Sequence, residues 1–407
     1  MIIGIPSEIK TGEKRVALAP ANVQSLCKKG VDILVQSGAG VSAGYPDAEY
    51  INAGATLVDS REKIFSDAEI VLQVQSFGAN NENSDSDLKL LRQGQLVIGM
   101  MDPLAAPQAA QTVASTGATA IALELVPRIS RAQSMDVLSS MATLAGYKSV
   151  LMGASASSRI FPMLMTAAGT LQPARVLIMG VGVAGLQACA TAKRLGAVVE
   201  AYDVRPAARE QIISVGAKPV ELDLDTGESE GEGGYAKEQG DDFLRRQREQ
   251  MTAVVAEQDI IITTAAIPGA KSPILVTEEM VKAMKPGAVI VDLAAERGGN
   301  CDLTQQGKTI TAHGVTIIGP ENVPSELAYH ASQMYGKNMQ TLLELILDEN
   351  GNLYLNFDDE IVAGIVVAHQ NDVPHVYMRK LLGLSKFSVD ATLEQEKAED
   401  TPTTDQK

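Results

Sequence analysis

Residues 175–203 read RVLIMGVGVAGLQACATAKRLGAVVEAYD, and this stretch decides the fold. Four apolar residues, Val176–Met179, lead into Gly180-x-Gly182-x-x-Gly185. An alanine-rich run, Leu186–Leu195, reads as a helix, and a second apolar run, Val198–Tyr202, ends at Asp203. Strand, glycine turn, helix, strand and acid in this order open a nucleotide-binding doubly wound domain. Gly180 permits a tight turn, Gly182 lets a diphosphate approach the backbone, and Gly185 lets the helix sit close to the sheet. The helix start offers unpaired N–H groups and the positive end of its dipole. Asp203 lies 18 residues past Gly185, where a carboxylate accepts hydrogen bonds from ribose hydroxyls and repels a 2′-phosphate. NAD(H) is therefore favoured over NADP(H). Arg205, two residues on, can accommodate such a phosphate, so the strictness of the preference stays open at this level.

Outward from this stretch, apolar runs continue to alternate with amphipathic ones. On its C-terminal side the strand-like runs are Lys218–Leu222, Asp259–Thr263, Ala288–Leu293 and Thr316–Ile318. On its N-terminal side they are Ile2–Ile5, Asp32–Gln36, Ile70–Val74, Leu96–Met100 and Thr119–Leu123. Short strands separated by helical segments imply parallel sheets covered on both faces. The expected fold class is α/β, with two doubly wound parallel-sheet (Rossmann-like) domains joined by long helices. One long helix is expected through SRAQSMDVLSSMATLAGYKSVL, where Ser130 and Gln133 have the spacing of a capping box. A second is expected over Glu326–Glu349. The strand-like run Ile361–Ala368 is expected to pack back on the first domain. The expected division is 1–137 with 327–388 as a discontinuous first domain, and 138–326 as the NAD(H)-binding domain. Residues 223–242, acidic and glycine-rich, read as a mobile loop, and 389–407 as a polar tail.

Bulk composition narrows the function classes. The chain has 407 residues, enough for two domains, with 34 basic against 50 acidic residues and a net charge of −16. Such a chain repels phosphate backbones, so nucleic-acid binding is not expected. The three cysteines, Cys27, Cys189 and Cys301, form no paired motif, and the four histidines are scattered. Neither a disulfide framework nor a metal site is expected. No run of about 20 apolar residues suggests a transmembrane helix, and the N-terminus does not read as a signal peptide.

Several motifs resemble the alanine dehydrogenase and pyridine nucleotide transhydrogenase family over roughly residues 1–380. These are GIPSEIKTGEKRVALAPANVQSL from Gly4, QSGAG at 36–40, the glycine turn with LQA at 186–188, and VDLAAERGGN at 291–300. Within the family, PRISRAQSMDVLSSMATLAGYK (127–148) is similar to the transhydrogenase branch. The resemblance implies that Arg128, Gln133, Asp136 and Ser139 contact the nicotinamide end of NAD(H). Gln133, Asp136 and Arg128 would serve hydride transfer itself. It likewise implies cofactor contacts at Gly180, Gly182, Val183, Gly185, Asp203, Val204, Arg205, Ala266 and Leu275. Gly234 and Tyr235 would lie on a loop that closes over the nucleotide. Arg128 and Asp136 are read either as a charge pair that clamps the carboxamide or as a structural ion pair at a hinge.

The transhydrogenase branch also implies partners. These are a component that binds NADP(H) and a membrane-spanning proton-channel component, with this chain as a homodimer at the cytoplasmic or matrix-like face. The alternatives are an NAD-dependent alanine dehydrogenase and a non-catalytic NAD(H) sensor. Alanine dehydrogenases place a lysine and a histidine where approximate alignment puts Gln75 and Asp102 here, while Arg15 is kept. That departure removes the evident proton shuttle for amino-acid chemistry.

Overall fold

The computed structural model describes residues 1–80, 82–222, 241–348 and 350–385. Two seven-stranded sheets carry the molecule. The strands of the first are β1 (Ile2–Ile5), β2 (Asp32–Gln36), β3 (Thr56–Val58), β4 (Ile70–Gln75), β5 (Leu96–Met100) and β6 (Thr119–Ala122). A hairpin, β7 (Leu164–Thr166) and β8 (Gly169–Leu171), precedes the second sheet. That sheet holds β9 (Arg175–Met179), β10 (Val198–Tyr202), β11 (Lys218–Pro219), β12 (Ile260–Thr263), β13 (Val289–Asp292), β14 (Lys308–Ala312) and β15 (Val315–Gly319). A last strand, β16 (Val366–Ala368), returns to the edge of the first sheet, antiparallel to β6. The orders are β16-β6-β5-β4-β1-β2-β3 and β11-β10-β9-β12-β13-β15-β14. The parallel strands of each sheet switch winding direction once, between β1 and β4 and between β9 and β12. Crevices open at such switch points, beyond the carboxyl ends of the strands.

The strands read as continuous apolar runs because both faces are covered. Val176 and Ile178 of β9 enter one core with Ile260, Ile262, Val289 and Val291. Leu177 and Met179 enter the opposite core with Ile261 and Ile290. The first sheet divides in the same way, with Ile70 and Leu72 on one side and Val71 on the other. A strand alternates its side chains between faces, so parallel strands between two helical layers need apolar residues at every position.

The four longest helices are α1 (Val137–Ala156), α2 (Val183–Arg194), α3 (Asp241–Ala256) and α4 (Ala328–Ile346). Several local expectations are corrected. The helix expected from Ser130 is split: Ser130–Met135 is a 3-10 turn, Asp136 is extended, and α1 begins at Val137. The capping box at Ser130 does not form. Instead the Asp136 carboxylate accepts the Ser139 N–H at 2.9 Å and caps α1. An aspartate that satisfies a downstream N–H favours a helix start over a helix interior. The helix expected over Glu326–Glu349 starts at Ala328, after a 3-10 turn over Val323–Leu327. In the Ile361–Ala368 run, the first part is the helix Glu360–Ile365, capped by Asp359, and 366–368 alone are strand. The run Lys218–Leu222 forms a two-residue strand ending at Pro219, which has no N–H to donate. Of the loop expected at 223–242, Asp241 and Asp242 open α3, and the rest lies outside the described residues, as does the tail 389–407.

Candidate functional site

The glycine turn follows β9 at the switch point of the second sheet. Gly180 has φ +93°, which an L side chain rarely adopts. A Cβ there would also meet the Ala265 nitrogen at 2.8 Å. At Gly185 a Cβ would lie 2.0 Å from the Gly180 carbonyl, so the first turn of α2 presses directly on the strand end. Gly182 is different: nothing lies within 4 Å of where its Cβ would stand. It is the N-cap of α2, it supplies no side-chain cap, and Val183 after it is 40% exposed. The start of α2 thus presents backbone N–H groups to open space, the arrangement that accepts an anion.

Beside the turn, β10 delivers Asp203. Its carboxylate accepts the Val181 N–H at 2.7 Å and the Arg205 N–H at 2.9 Å. It also receives the Arg205 Nε at 2.9 Å and Nη2 at 2.8 Å. Burial pushes the Asp203 carboxyl up, but the Arg205 and Val181 hydrogen bonds outweigh it and hold the carboxyl below the usual aspartate range. Arg205 is thereby tied to Asp203 and to the Val181 carbonyl, at 3.1 Å. Val204, between them, packs partly against the core under β9. Beyond β12, the Thr264 hydroxyl donates to the Gly180 carbonyl at 2.9 Å, and Ala266 follows, exposed beside the turn. Leu275 is a core residue, 6% exposed.

The 128–139 segment reaches this site through α1. Ala132 and Met135 enter the core on one face of the first sheet, which turns Gln133 outward to solvent. The Asn338 side chain of α4 donates to the Ser134 carbonyl at 2.8 Å. Arg131 grips Asp359 with two bonds of 2.7 and 2.8 Å. Both contacts fix the 3-10 turn that carries Gln133. The Asp136 carboxylate also accepts the Ser139 hydroxyl at 2.6 Å, so both oxygens serve Ser139. Arg128, just before the turn, is exposed. Ten residues past Asp136, about 15 Å along the helix, α1 meets α2. A Cβ on Gly146 would stand 2.1 Å from the Ala184 carbonyl. One rigid helix therefore links the polar segment to the glycine turn. Gly234 and Tyr235 lie outside the described residues.

A second polar cluster fills the switch point of the first sheet. The Glu8 carboxylate accepts the N–H of Val74 at 2.6 Å and of Gln75 at 3.0 Å. Burial and the nearby Glu13 push it up to about 8. Arg15 is 2% exposed and holds Glu13 through Nε at 2.7 Å and Nη2 at 2.6 Å, with Asn322 at 3.0 Å. Asp102, in the left-handed region with φ +48°, pairs with Arg297 from beyond β13 at 2.5 Å. Gly269, from the loop after β12, comes close enough to Leu104 that a Cβ would touch it at 2.7 Å. Segments following the carboxyl ends of the two sheets thus meet at Asp102–Arg297 and at Leu104–Gly269. Among the described residues no group of His, Cys, Asp and Glu is arranged to hold a metal, and no helix is long and apolar enough to cross a membrane.

Sequence reasoning missed Thr264, Asn338, Arg297 and Gly146. Asn338 and Arg297 act on segments some 200 residues away in the chain, and no local pattern signals that. Gly146 was visible as a glycine inside a helical run, the usual sign of a close approach.

Sheet order, an open glycine turn and a strand-end carboxylate define a protein of the doubly wound, dinucleotide-binding class. The alanine dehydrogenase/PNT N-terminal domain family matches residues 4–145, and the alanine dehydrogenase/PNT C-terminal domain family matches residues 149–376. The chain is 46% identical over 377 residues to an NAD(P) transhydrogenase alpha subunit chain of Rhodospirillum rubrum, covering 92% of this chain and 98% of that one. The crystal structure of a transhydrogenase from Sinorhizobium meliloti superposes with a TM-score of 0.79 at 41% identity, over 92% of this chain and 99% of that one. The alanine dehydrogenase of Bacillus subtilis is more distant, 32% identical over 332 residues and 80% of each chain. The chain belongs to the alanine dehydrogenase/PNT family.

Proposed function

We propose that this chain is the NAD(H)-binding component of a proton-translocating, Re/Si-specific NAD(P) transhydrogenase. The carrying observation is the open glycine turn beside Asp203, joined by one rigid helix to an outward-facing polar turn. The likeness to transhydrogenase alpha subunits, closer than to alanine dehydrogenases, supports the reading. The residues fit a dinucleotide: the space at Gly182 suits a diphosphate against the α2 N–H groups, and the strand-end carboxylate suits a ribose.

When bound, the dinucleotide supplies the carbon that gives or takes hydride. The protein then needs groups that orient and exclude water, not a nucleophile or a base. Gly180, Gly182, Val183 and Gly185 shape the diphosphate seat. Asp203 accepts from the ribose, with Arg205 fixing that carboxylate and Val204 packed beside it. Ala266 and the backbone near Leu275 border the adenosine half. Gln133, Asp136, Ser139 and Arg128 orient the carboxamide end, Gln133 facing outward toward a partner.

The partners are a component carrying NADP(H) and a membrane-spanning proton channel, which hold this chain at the cytoplasmic or matrix-like face. We also propose a homodimer. The hairpin β7–β8 supports it, because Met163, Met165 and Leu171 are 56%, 79% and 51% exposed. Clustered apolar exposure of this kind marks association surfaces.

The test mixes the chain with NADH and a competent NADP(H)-binding component, and follows reduction of an NAD analogue with shifted absorbance. Gln133→Asn and Asp136→Asn are expected to lower exchange by about tenfold or more, the loss typical of a misplaced orienting group. NADH binding without exchange leaves a nucleotide sensor, and turnover of pyruvate and ammonia with NADH leaves an alanine dehydrogenase. Either result sinks the proposal.

A further inference from the structure

The 291–300 stretch ends at Asn300, a fully buried residue with no role in the chemistry proposed above. Its carboxamide makes three hydrogen bonds. Oδ1 accepts the Ala265 N–H at 3.0 Å, and Nδ2 donates to the carbonyls of Ala265 at 2.9 Å and Pro273 at 2.8 Å. Its own carbonyl accepts the N–H groups of Leu275 at 2.8 Å and Val276 at 2.9 Å. One residue therefore ties both ends of the segment AAIPGAKSP, residues 265–273. Ala265 directly follows Thr264, whose hydroxyl holds the Gly180 carbonyl, and its nitrogen sits where a Gly180 side chain would stand. The turn after β12 is thus one wall of the glycine turn, and Asn300 sets its position.

Asn300 is itself held. Asp292 is fully buried, and its Oδ2 accepts the N–H of Asn300 at 2.7 Å, the N–H of Cys301 at 3.1 Å and the Thr304 hydroxyl at 2.6 Å. Its Oδ1 accepts the Thr263 hydroxyl at 2.9 Å and the Ala294 N–H at 3.0 Å. A line of buried hydrogen bonds runs from the end of β13 to the wall of the glycine turn.

We infer that Asn300 is a positioning residue for dinucleotide binding, which sets the 264–266 turn against the glycine turn while Asp292 fixes Asn300. The inference rests on the NAD(H) reading of the site. A carboxamide both accepts and donates, which the Ala265 N–H and the two carbonyls require together. Alanine at 300 leaves one donor and two acceptors unmet in a part-buried site, and the turn relaxes toward solvent to satisfy them. Aspartate keeps the acceptor but turns a negative charge on two carbonyls. Protonating that carboxyl restores one donor, and burial favours the protonated form.

The test measures NADH affinity by titration of the full chain, with thermal melting alongside. Variants are Asn300→Ala, Asn300→Asp and, as a control for stability alone, Val289→Ala in β13. Asn300→Ala is expected to raise the NADH Kd about tenfold, with exchange at saturating NADH changed by less than about twofold. Asn300→Asp is expected to regain affinity as pH falls, and Val289→Ala to melt earlier at unchanged Kd. Unchanged affinity in Asn300→Ala, equal losses in Asn300→Ala and Val289→Ala, or no pH recovery in Asn300→Asp overturns the inference while NADH binding by the parent chain stands. Failure of the parent chain to bind NADH removes the reading beneath it, and that outcome is separate.

Discussion

Buried carboxylates in this molecule are sorted by what faces them. Glu13 is held down to about 2: burial pushes its carboxyl up, and the Arg15 guanidinium more than reverses that. Glu8, a few residues earlier, receives two backbone N–H groups but also faces Glu13, and it rises from an ordinary 4.5 to about 8. A carboxyl raised in the folded state keeps a proton that the unfolded chain has lost. Its contribution to stability is therefore full below about pH 4.5 and declines as pH rises toward 8. Glu8→Gln removes that titration and retains an acceptor for one N–H. The melting temperature of Glu8→Gln minus that of the parent is expected to climb steadily from pH 5 to pH 8. A difference that does not change with pH shows that Glu8 titrates normally.

At the scale of elements, α1 is the helix on which the site depends. It starts at a cap set by Asp136, passes the first turn of α2 at Gly146, and continues over β12 and β13, where Gly153 meets Ile260. Helices approach this closely only where a side chain is missing. Gly146→Ala places a carbon 2.1 Å from a backbone carbonyl, and backbone cannot swing aside as a side chain can. The expected loss of stability is roughly 1–3 kcal/mol, measured by denaturant unfolding, with weaker NADH binding because α2 carries the diphosphate seat. Full stability in Gly146→Ala means the two helices slide apart freely, and the rigid link between polar turn and glycine turn is then wrong. The helix was legible as a helix, but its true start was not. The Ser130 and Gln133 spacing imitates a cap, and Asp136 forms one because the turn before it is pinned by Asn338 and Arg131.

Across the whole molecule, the carboxyl edges of the two sheets meet through Asp102–Arg297, Gly269 against Leu104 and the Arg15–Glu13–Asn322 group. The hairpin β7–β8 precedes the second sheet and joins neither seven-stranded sheet, and it carries exposed apolar side chains. On the homodimer proposed above, replacing Leu164–Leu171 by a short glycine-serine turn is expected to shift the chain from dimer to monomer in sedimentation velocity, with little change in melting of the monomeric fold. A species of unchanged mass sinks the assignment of that hairpin to the dimer.

By itself the sequence determined what is local and periodic. The glycine turn, the apolar runs of both sheets and the two-domain α/β class follow from rules acting within about thirty residues. Tertiary structure alone decided how distant pieces meet. It placed Asn338 under the 3-10 turn, Arg297 on Asp102, Asn300 behind the wall of the glycine turn and β16 at the edge of a sheet begun at residue 2. The physical reason is that buried polar groups must find partners wherever the packed chain brings them, and a linear sequence carries no signal of who those partners are.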